Sequence, residues 1–208
     1  MGGAAVAVGI LAQIVVWRLV ARDRLPFWPA TVGTFTVLGV ASILVGDPSC
    51  CGDVAMVTAL GAGAASGLLL YAATRLVVGA AARNAALGSQ VVEIYRRSDE
   101  VRFATALAVT LAIAVPSEEL FWRDLVLTEL TASTSIPIGA LAAWAAAVVV
   151  SIAWGSIALF AGTVVGGALW TGLAVWSDGV VAPIASHLVW TGLMFVWPPR
   201  AARDIVPP

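Results

Sequence analysis

The sequence predicts an all-α polytopic membrane protein with about seven transmembrane helices and one interfacial amphipathic helix. Of its 208 residues, 61% are hydrophobic and 11% are charged, and its mean hydropathy is +0.98. An average soluble domain carries about 25% charged residues. Apolar stretches of about 20 residues recur along the chain, and a stretch of that length can cross a bilayer. No basic stripe is present, which excludes nucleic-acid binding.

Arginine residues indicate which side of the membrane each loop occupies. The first predicted span, residues 4–20, ends among Arg18, Arg22 and Arg24, and Arg200 and Arg203 follow the last span. By the positive-inside rule these segments are cytoplasmic. The N-terminus is then outside and the C-terminus is in the cytoplasm. The bias toward Ala, Val, Gly and Arg is typical of a bacterial protein, so we expect a bacterial plasma membrane.

The next two spans, residues 31–45 and 55–78, are joined by an outer loop with adjacent cysteines. Neighbouring cysteines form a strained disulfide, and a metal site needs more ligands than this pair. We therefore interpret Cys50 and Cys51 as loop thiols. The third span is rich in Gly and Ala, which predicts close approach by another helix.

Hydrophobicity falls between residues 79 and 102, where four arginines gather. Val91 and Tyr95 supply an apolar side, so this segment is predicted to be a cytoplasmic connector with an amphipathic helix. We predict three regions: a three-span bundle with its connector over residues 1–100, a four-span core over 101–197, and a cytoplasmic tail over 198–208.

The fourth predicted helix covers residues 101–130, and Pro116 lies midway along it. A proline there removes a helical hydrogen bond, so we expect a kink or a break. The remaining spans are predicted over residues 137–160, 162–176 and 180–197.

Four ionisable residues follow Pro116 at membrane depth, where charges are costly and usually functional. Glu119 and Arg123 are four residues apart, share a helix face and can pair. Glu118 points about 100° away and has no partner on its own helix. We interpret Glu119–Arg123 as a brace and Glu118 as facing another group. The alternative is that these charges only tie helices together.

The single histidine of the chain, His187, lies in the last span and shares a face with Thr191. Glu118 and His187 are predicted to face each other or a shared wet cavity. A carboxylate and an imidazole around one water can form a general-base site for hydrolysis. A proton relay in a small transporter is an alternative, although few polar residues continue such a path.

The stretch Glu118-Glu119-Leu120-Phe121-Trp122-Arg123 resembles the EExxxR motif of the CPBP intramembrane proteases (CAAX protease and bacteriocin-processing, or Abi, family). Residues 176–187 resemble the helix that carries the third-motif histidine of that family. The resemblance covers about residues 103–195 and implies an intramembrane endopeptidase. It assigns water activation to Glu118, support to Glu119 and Arg123, and oxyanion stabilisation or metal binding to His187.

Two positions depart from the family pattern. The second motif, FxxxH, corresponds here to Trp154 through Ala158, with alanine in place of histidine. The third motif, HxxxN, ends here on Thr191, which can still donate a hydrogen bond. Zinc, which the family label allows, usually needs three protein ligands. Glu119 would have to leave Arg123 to complete that set, so we predict no metal site.

The sequence therefore predicts an endopeptidase that hydrolyses a peptide bond near the bilayer by glutamate-activated water. Glu118 is the base, and His187 with Thr191 serves the oxyanion. The expected partners are the lipid bilayer and a membrane-embedded or lipidated peptide. Residues predicted to line the substrate cavity are Phe121, Trp122, Ser151, Trp154 and Ala158. The alternative that Ala158 raises is a pseudoprotease that binds such peptides without cutting them.

Overall fold

A computed structural model describes residues 2–46, 48–81, 84–96 and 100–199, and every regular element in these ranges is helical. Six helices are long and apolar enough to cross a membrane, and a seventh apolar helix, Val181–Val196, is shorter. The predicted all-α polytopic fold is confirmed. Of the predicted tail, residues 200–208 lie outside the described ranges. The helices are α1 (Gly2–Ala21), α2 (Phe27–Val45), α3 (Met56–Ala81), α4 (Ala85–Arg96), α5 (Phe103–Ser133), α6 (Ile136–Ser151), α7 (Ile157–Ser177) and α8 (Val181–Val196).

Helix α5 continues through Pro116 and is not broken there. Of the two predicted outcomes, a kink or a break, the break is therefore absent. Two stretches of α5, Thr110–Ala114 and Leu120–Val126, are π-helical, and Val115 N–H bonds to the carbonyl of Thr110 five residues back. The wider turn lets the chain accommodate a proline that lacks a donor. The glutamate pair therefore lies on a short α-helical stretch between two π-helical stretches.

The turn between α6 and α7 comes earlier than predicted. Helix α6 ends in a 3₁₀ turn, Ile152–Trp154, and Gly155 then adopts a left-handed conformation with φ of 69°. Ser156 caps α7, because its Oγ accepts a hydrogen bond from Leu159 N at 3.3 Å. A glycine after one helix and a serine before the next are ordinary end and start signals. The prediction of a span through residue 160 overlooked them.

Helix α4 is amphipathic, as predicted, and packs against the ends of α7 and α8. Val91 and Tyr95 are buried, whereas Arg96 is exposed and pairs with Glu93 at 2.8 Å. The Tyr95 hydroxyl donates to the Met194 carbonyl at 3.0 Å. Burial raises the pKa of Tyr95 above its ordinary value, so the hydroxyl stays protonated as a donor. The connector is thus fixed to the bundle on its apolar side.

The opposite end of the bundle carries the cysteine loop. Val181 N–H donates to the Cys50 carbonyl at 3.1 Å, and Ser49 Oγ donates to the Asp178 carbonyl at 2.8 Å. Both cysteines are free thiols. These bonds connect the loop between α2 and α3 to the first turn of α8.

Helices α3 and α8 pack closely through glycines, as the Gly/Ala-rich sequence of α3 predicts. A side chain at Gly63 would collide with the Ala182 carbonyl, and one at Gly67 would collide with the Ser186 carbonyl. Gly61 faces open space instead. Backbones that approach this closely fix α8 in place, and α8 carries the histidine.

Candidate active site

Glu119 lies at the centre of the polar site and connects α5 to α8. Its side chain is fully buried, with Oε1 2.6 Å from His187 Nδ1 and Oε2 3.3 Å from Arg123 Nε. The predicted Glu119–Arg123 pair is therefore present. The imidazole bonds to Glu119 and not to Glu118, which was expected to face it or to share a wet cavity with it. Oε1 thus bonds to the imidazole, whereas Oε2 lies within ion-pair distance of Arg123 Nε without a hydrogen bond among the described residues.

Glu118 differs from Glu119 in its burial and in its hydrogen bonding. Its side chain is partly buried and makes no hydrogen bond with the part of the chain that the structure describes. His187, Glu119 and Arg123 are all close enough to act on it electrostatically. Glu118 is thus a carboxylate beside the polar centre that is free to bind another molecule.

The ring of His187 is held by aromatic packing as well as by Glu119. Trp170 of α7 stacks on it with ring centroids 3.7 Å apart and planes 16° apart. Trp190 lies further away, at 5.9 Å and 47°. His187 is 6% exposed. Because Nδ1 faces Glu119, the other ring nitrogen, Nε2, is the one available to a ligand.

Trp170 is itself anchored by polar contacts from three helices. Its Nε1–H donates to Ser186 Oγ at 3.2 Å, and Ser66 Oγ donates to the same oxygen at 3.1 Å. The guanidinium of Arg123 lies over the Trp170 ring, 5.4 Å from its centroid. Helices α3, α5, α7 and α8 therefore all contribute to one network around the imidazole.

Thr191 lies one helical turn beyond His187 on α8 and is buried. Its hydroxyl has no hydrogen-bond partner within the described ranges. A hydroxyl four residues from the histidine lies on the same helix face. Thr191 can therefore donate to a group bound beside the imidazole, as the sequence prediction requires.

Two residues predicted to line the substrate cavity lie in the packed core with α1. Phe121 is 1% exposed, and its ring lies against Gly9. Trp154 stacks on Trp17 with centroids 4.6 Å apart and also neighbours Phe27. A substrate could reach these two rings only by displacing core side chains.

The other three predicted cavity residues occupy separate places. Trp122 is buried in the same core, and the Ser151 hydroxyl donates to the backbone carbonyl three residues earlier at 2.7 Å. Ala158 packs against the cluster formed by Val91 and Tyr95 of α4. The position that corresponds to the family's second-motif histidine is thus in apolar contact with the connector.

An apolar groove of about 420 Å³ lies between α6 and α7. Thr171 lines this groove and directly follows Trp170 in the chain, so the groove and the polar centre are on neighbouring faces of α7. The lining residues are Ala140, Leu141, Trp144, Ala168, Thr171, Gly172, Val175 and Trp176.

The residues of the site do not fit a zinc ion. The Glu119 oxygens face His187 and Arg123, and Nδ1 of the histidine is used by Glu119. No group of three His, Cys, Asp or Glu residues is placed to hold a metal within the described part of the chain. Zinc usually takes three protein ligands, so the site offers too few.

Sequence reasoning missed several polar or aromatic members of the core. Trp170 could not be singled out, because it is one of nine tryptophans. Ser186, next to the histidine, was quoted only as part of a motif. Gln13 carried a clearer signal, since an amide within an apolar span is unusual. It is 2% exposed, and its Nε2 has no partner among the described residues.

Fold and site together define a polytopic membrane protein with a Glu–His–Arg centre built at membrane depth. Residues 100–193, just under half of the chain, match the family model described as type II CAAX prenyl endopeptidase Rce1-like. Residues 100–193 are thus similar to an Rce1-like domain, and the resemblance to the CPBP family is confirmed over these residues. Searches of curated proteins and of solved structures returned no match.

Proposed function

We propose that this protein is an intramembrane endopeptidase in which Glu118 activates the attacking water. The observation that carries the proposal is the different state of the two glutamates. Glu119 is committed to His187 at 2.6 Å and to Arg123 at 3.3 Å, whereas Glu118 makes no hydrogen bond to the residues described. A general base must be free to reach the proton that it abstracts, and only Glu118 meets this condition.

In the proposed reaction, Glu118 takes a proton from water, and the oxygen attacks the carbonyl carbon of the peptide bond. The carbonyl electrons move to oxygen, and the resulting oxyanion accepts hydrogen bonds from His187 Nε2 and the Thr191 hydroxyl. The oxyanion then collapses to re-form the carbonyl, the C–N bond breaks, and the leaving nitrogen receives the proton that Glu118 took, which gives a carboxylic acid and an amine. His187 can donate from Nε2 when both ring nitrogens carry protons, and Glu119 balances that charge.

The proposed substrate is a membrane-embedded or lipidated peptide. Its support is the Rce1-like domain together with the position of the glutamates on α5, one of the candidate spans. We also propose that α4 lies on the cytoplasmic face of a bacterial plasma membrane. Apart from Arg123, the arginines in the described ranges lie at or near the helix ends on that side. They are Arg18, Arg22, Arg24, Arg75, Arg96 and Arg102.

The test is mass-spectrometric detection of cleavage in a membrane-peptide library by the reconstituted protein, with and without a chelator. Glu118→Gln should lower the rate by about 10² to 10⁴-fold, because it removes the general base. Glu129→Gln, the same change on the same helix outside the polar site, is the matched control and should cut like wild type. Equal cleavage by wild type and Glu118→Gln would reject the mechanism. Loss of cleavage when a chelator is added would show that the reaction needs a metal ion, contrary to our prediction.

A scaffold that binds peptides without cutting them is the second candidate function. The observation in its favour is Ala158, which places a methyl group against α4 where the family motif has histidine. In this case wild-type protein should leave the library intact, and Ala158→His should restore cutting if that histidine is the missing part. Cleavage by wild type would exclude the scaffold function.

A further inference from the structure

The stack between Trp170 and His187 is the closest ring contact among the described residues. The centroids are 3.7 Å apart, and an interplanar angle of 16° leaves the rings almost parallel. The neighbouring Trp190 is tilted by 47° at 5.9 Å and does not cover the imidazole in the same way. A face-to-face contact of this kind fixes the plane of a ring but leaves open which edge points where.

The hydrogen bond to Glu119 supplies the missing constraint. With Nδ1 held 2.6 Å from Glu119 Oε1, the imidazole cannot flip without losing a buried, charge-assisted bond. Plane and edge are then both set, so the direction of Nε2 is set as well. Neither contact would achieve this alone.

Several contacts hold Trp170 in place, so its ring can fix the plane of the imidazole. Its Nε1–H is bonded to Ser186, which directly precedes the histidine on α8, and Ser66 bonds to the same hydroxyl. Trp190 packs edge-on against Trp170 with centroids 5.6 Å apart, and it is anchored by its own bond to Thr74 at 3.1 Å. Replacing Trp170 removes a support that no other described side chain duplicates.

We propose that Trp170 is a positioning residue for His187 and that, together with Glu119, it holds the imidazole in one orientation with Nε2 directed toward the substrate. The effect on cleavage rests on the proposed function, whereas the effect on the imidazole does not. Trp170 acts through the histidine and does not itself touch the reacting atoms.

The decisive readout is nitrogen NMR of ¹⁵N-histidine-labelled protein in detergent or bilayers. The chain has one histidine, so its two ring nitrogens give the whole histidine side-chain spectrum. The two nitrogen shifts report the protonation and hydrogen bonding of each ring nitrogen, so an imidazole that samples more than one orientation gives more than one set of signals. We expect a single set of signals from wild type.

Three variants test the proposal. Trp170→Leu removes the stacking surface and should give two interconverting or broadened sets of signals, whereas Trp170→Phe keeps an aromatic face and should restore the single set. Trp176→Leu, the matched control at an exposed tryptophan of the same helix, should leave the set single. Unchanged signals in Trp170→Leu would overturn the proposal, as would signals in Trp170→Phe as heterogeneous as those in Trp170→Leu. If Trp170→Leu does not fold, the Trp170→Phe and Trp176→Leu spectra decide, because equal disturbance in both would also overturn the proposal.

Cleavage kinetics provide a second test, which is independent of the NMR experiment. If wild type cuts the library, Trp170→Leu should lower kcat on the order of 10²-fold with little change in KM, because the ligand-facing nitrogen is misplaced. Unchanged kcat alongside altered NMR signals would overturn the link to cleavage. If wild type does not cut, the proposed function fails and the NMR arm still decides the positioning role.

Discussion

The two ends of α7 lie in opposite surroundings. In its second half, Trp170 meets the buried side chains of Arg123 and His187. At its start, Ala158 packs against the apolar cluster of α4, while Gln90 Oε1 accepts a hydrogen bond from Ile157 N at 2.8 Å. Both ionisable groups that Trp170 meets are paired with Glu119, and the start of α7 is completed by apolar packing and a backbone cap.

This difference explains how the chain accommodates a missing histidine. An imidazole removed from a polar network would leave its partners unsatisfied, which is costly in a buried site. Ala158 instead packs against Val91 and Tyr95, and its backbone N–H donates to Gln90 Oε1 at 3.4 Å. The alanine is therefore part of a coherent local packing arrangement.

The largest effect on stability is expected from breaking the polar centre. Arg123→Leu would leave Glu119 facing a lipophilic side chain on one oxygen, and losing one partner of a buried pair costs about 3 to 5 kcal/mol. Denaturant unfolding in detergent, followed by tryptophan fluorescence, measures the change. Arg102→Leu, at the exposed start of α5, should shift the free energy of unfolding by less than about 0.5 kcal/mol. Similar losses in both variants would contradict the special role of the centre.

A smaller effect is expected where α3 supports the site from behind. Gly67→Val would push against the Ser186 carbonyl, and overpacking of this kind costs about 1 to 3 kcal/mol. Gly61→Val on the same helix faces open space and is the control. The same unfolding assay should show a loss for the first variant only, and equal behaviour of the two would mean that the α3–α8 contact is looser than the structure has it.

The smallest effect is expected at the start of α7. Gln90→Ala removes the side chain that caps Ile157, and loss of a helix cap costs about 0.5 to 2 kcal/mol. Hydrogen exchange should become faster at the first turn of α7 and along α4, while the backbone around His187 stays protected. Faster exchange throughout the molecule would show that the two ends of α7 are more strongly coupled than we infer.

The sequence predicted the helical class, the order of the spans and the Glu119–Arg123 pair, because these follow from composition and local spacing. It misplaced the turn at Gly155, because an uninterrupted apolar sequence does not show where one helix ends. It missed the π-helical turns around Pro116, because a helix can accommodate a proline in several ways. The partner of His187 could not be derived, because Glu118 and Glu119 differ only in direction and the relative rotation of α5 and α8 is a tertiary property. Trp170 was hidden for the same reason.

The central claim is that the two adjacent glutamates have separate tasks, and one paired measurement tests it most directly. Cleavage rate and free energy of unfolding should be determined together for Glu118→Gln and Glu119→Gln. We expect Glu118→Gln to lose about 10² to 10⁴-fold in rate while its stability changes by less than about 0.5 kcal/mol. Glu119→Gln should instead lose about 3 kcal/mol of stability, because His187 and Arg123 lose their shared carboxylate. Full cleavage by Glu118→Gln, or a larger stability loss there than in Glu119→Gln, would contradict this division.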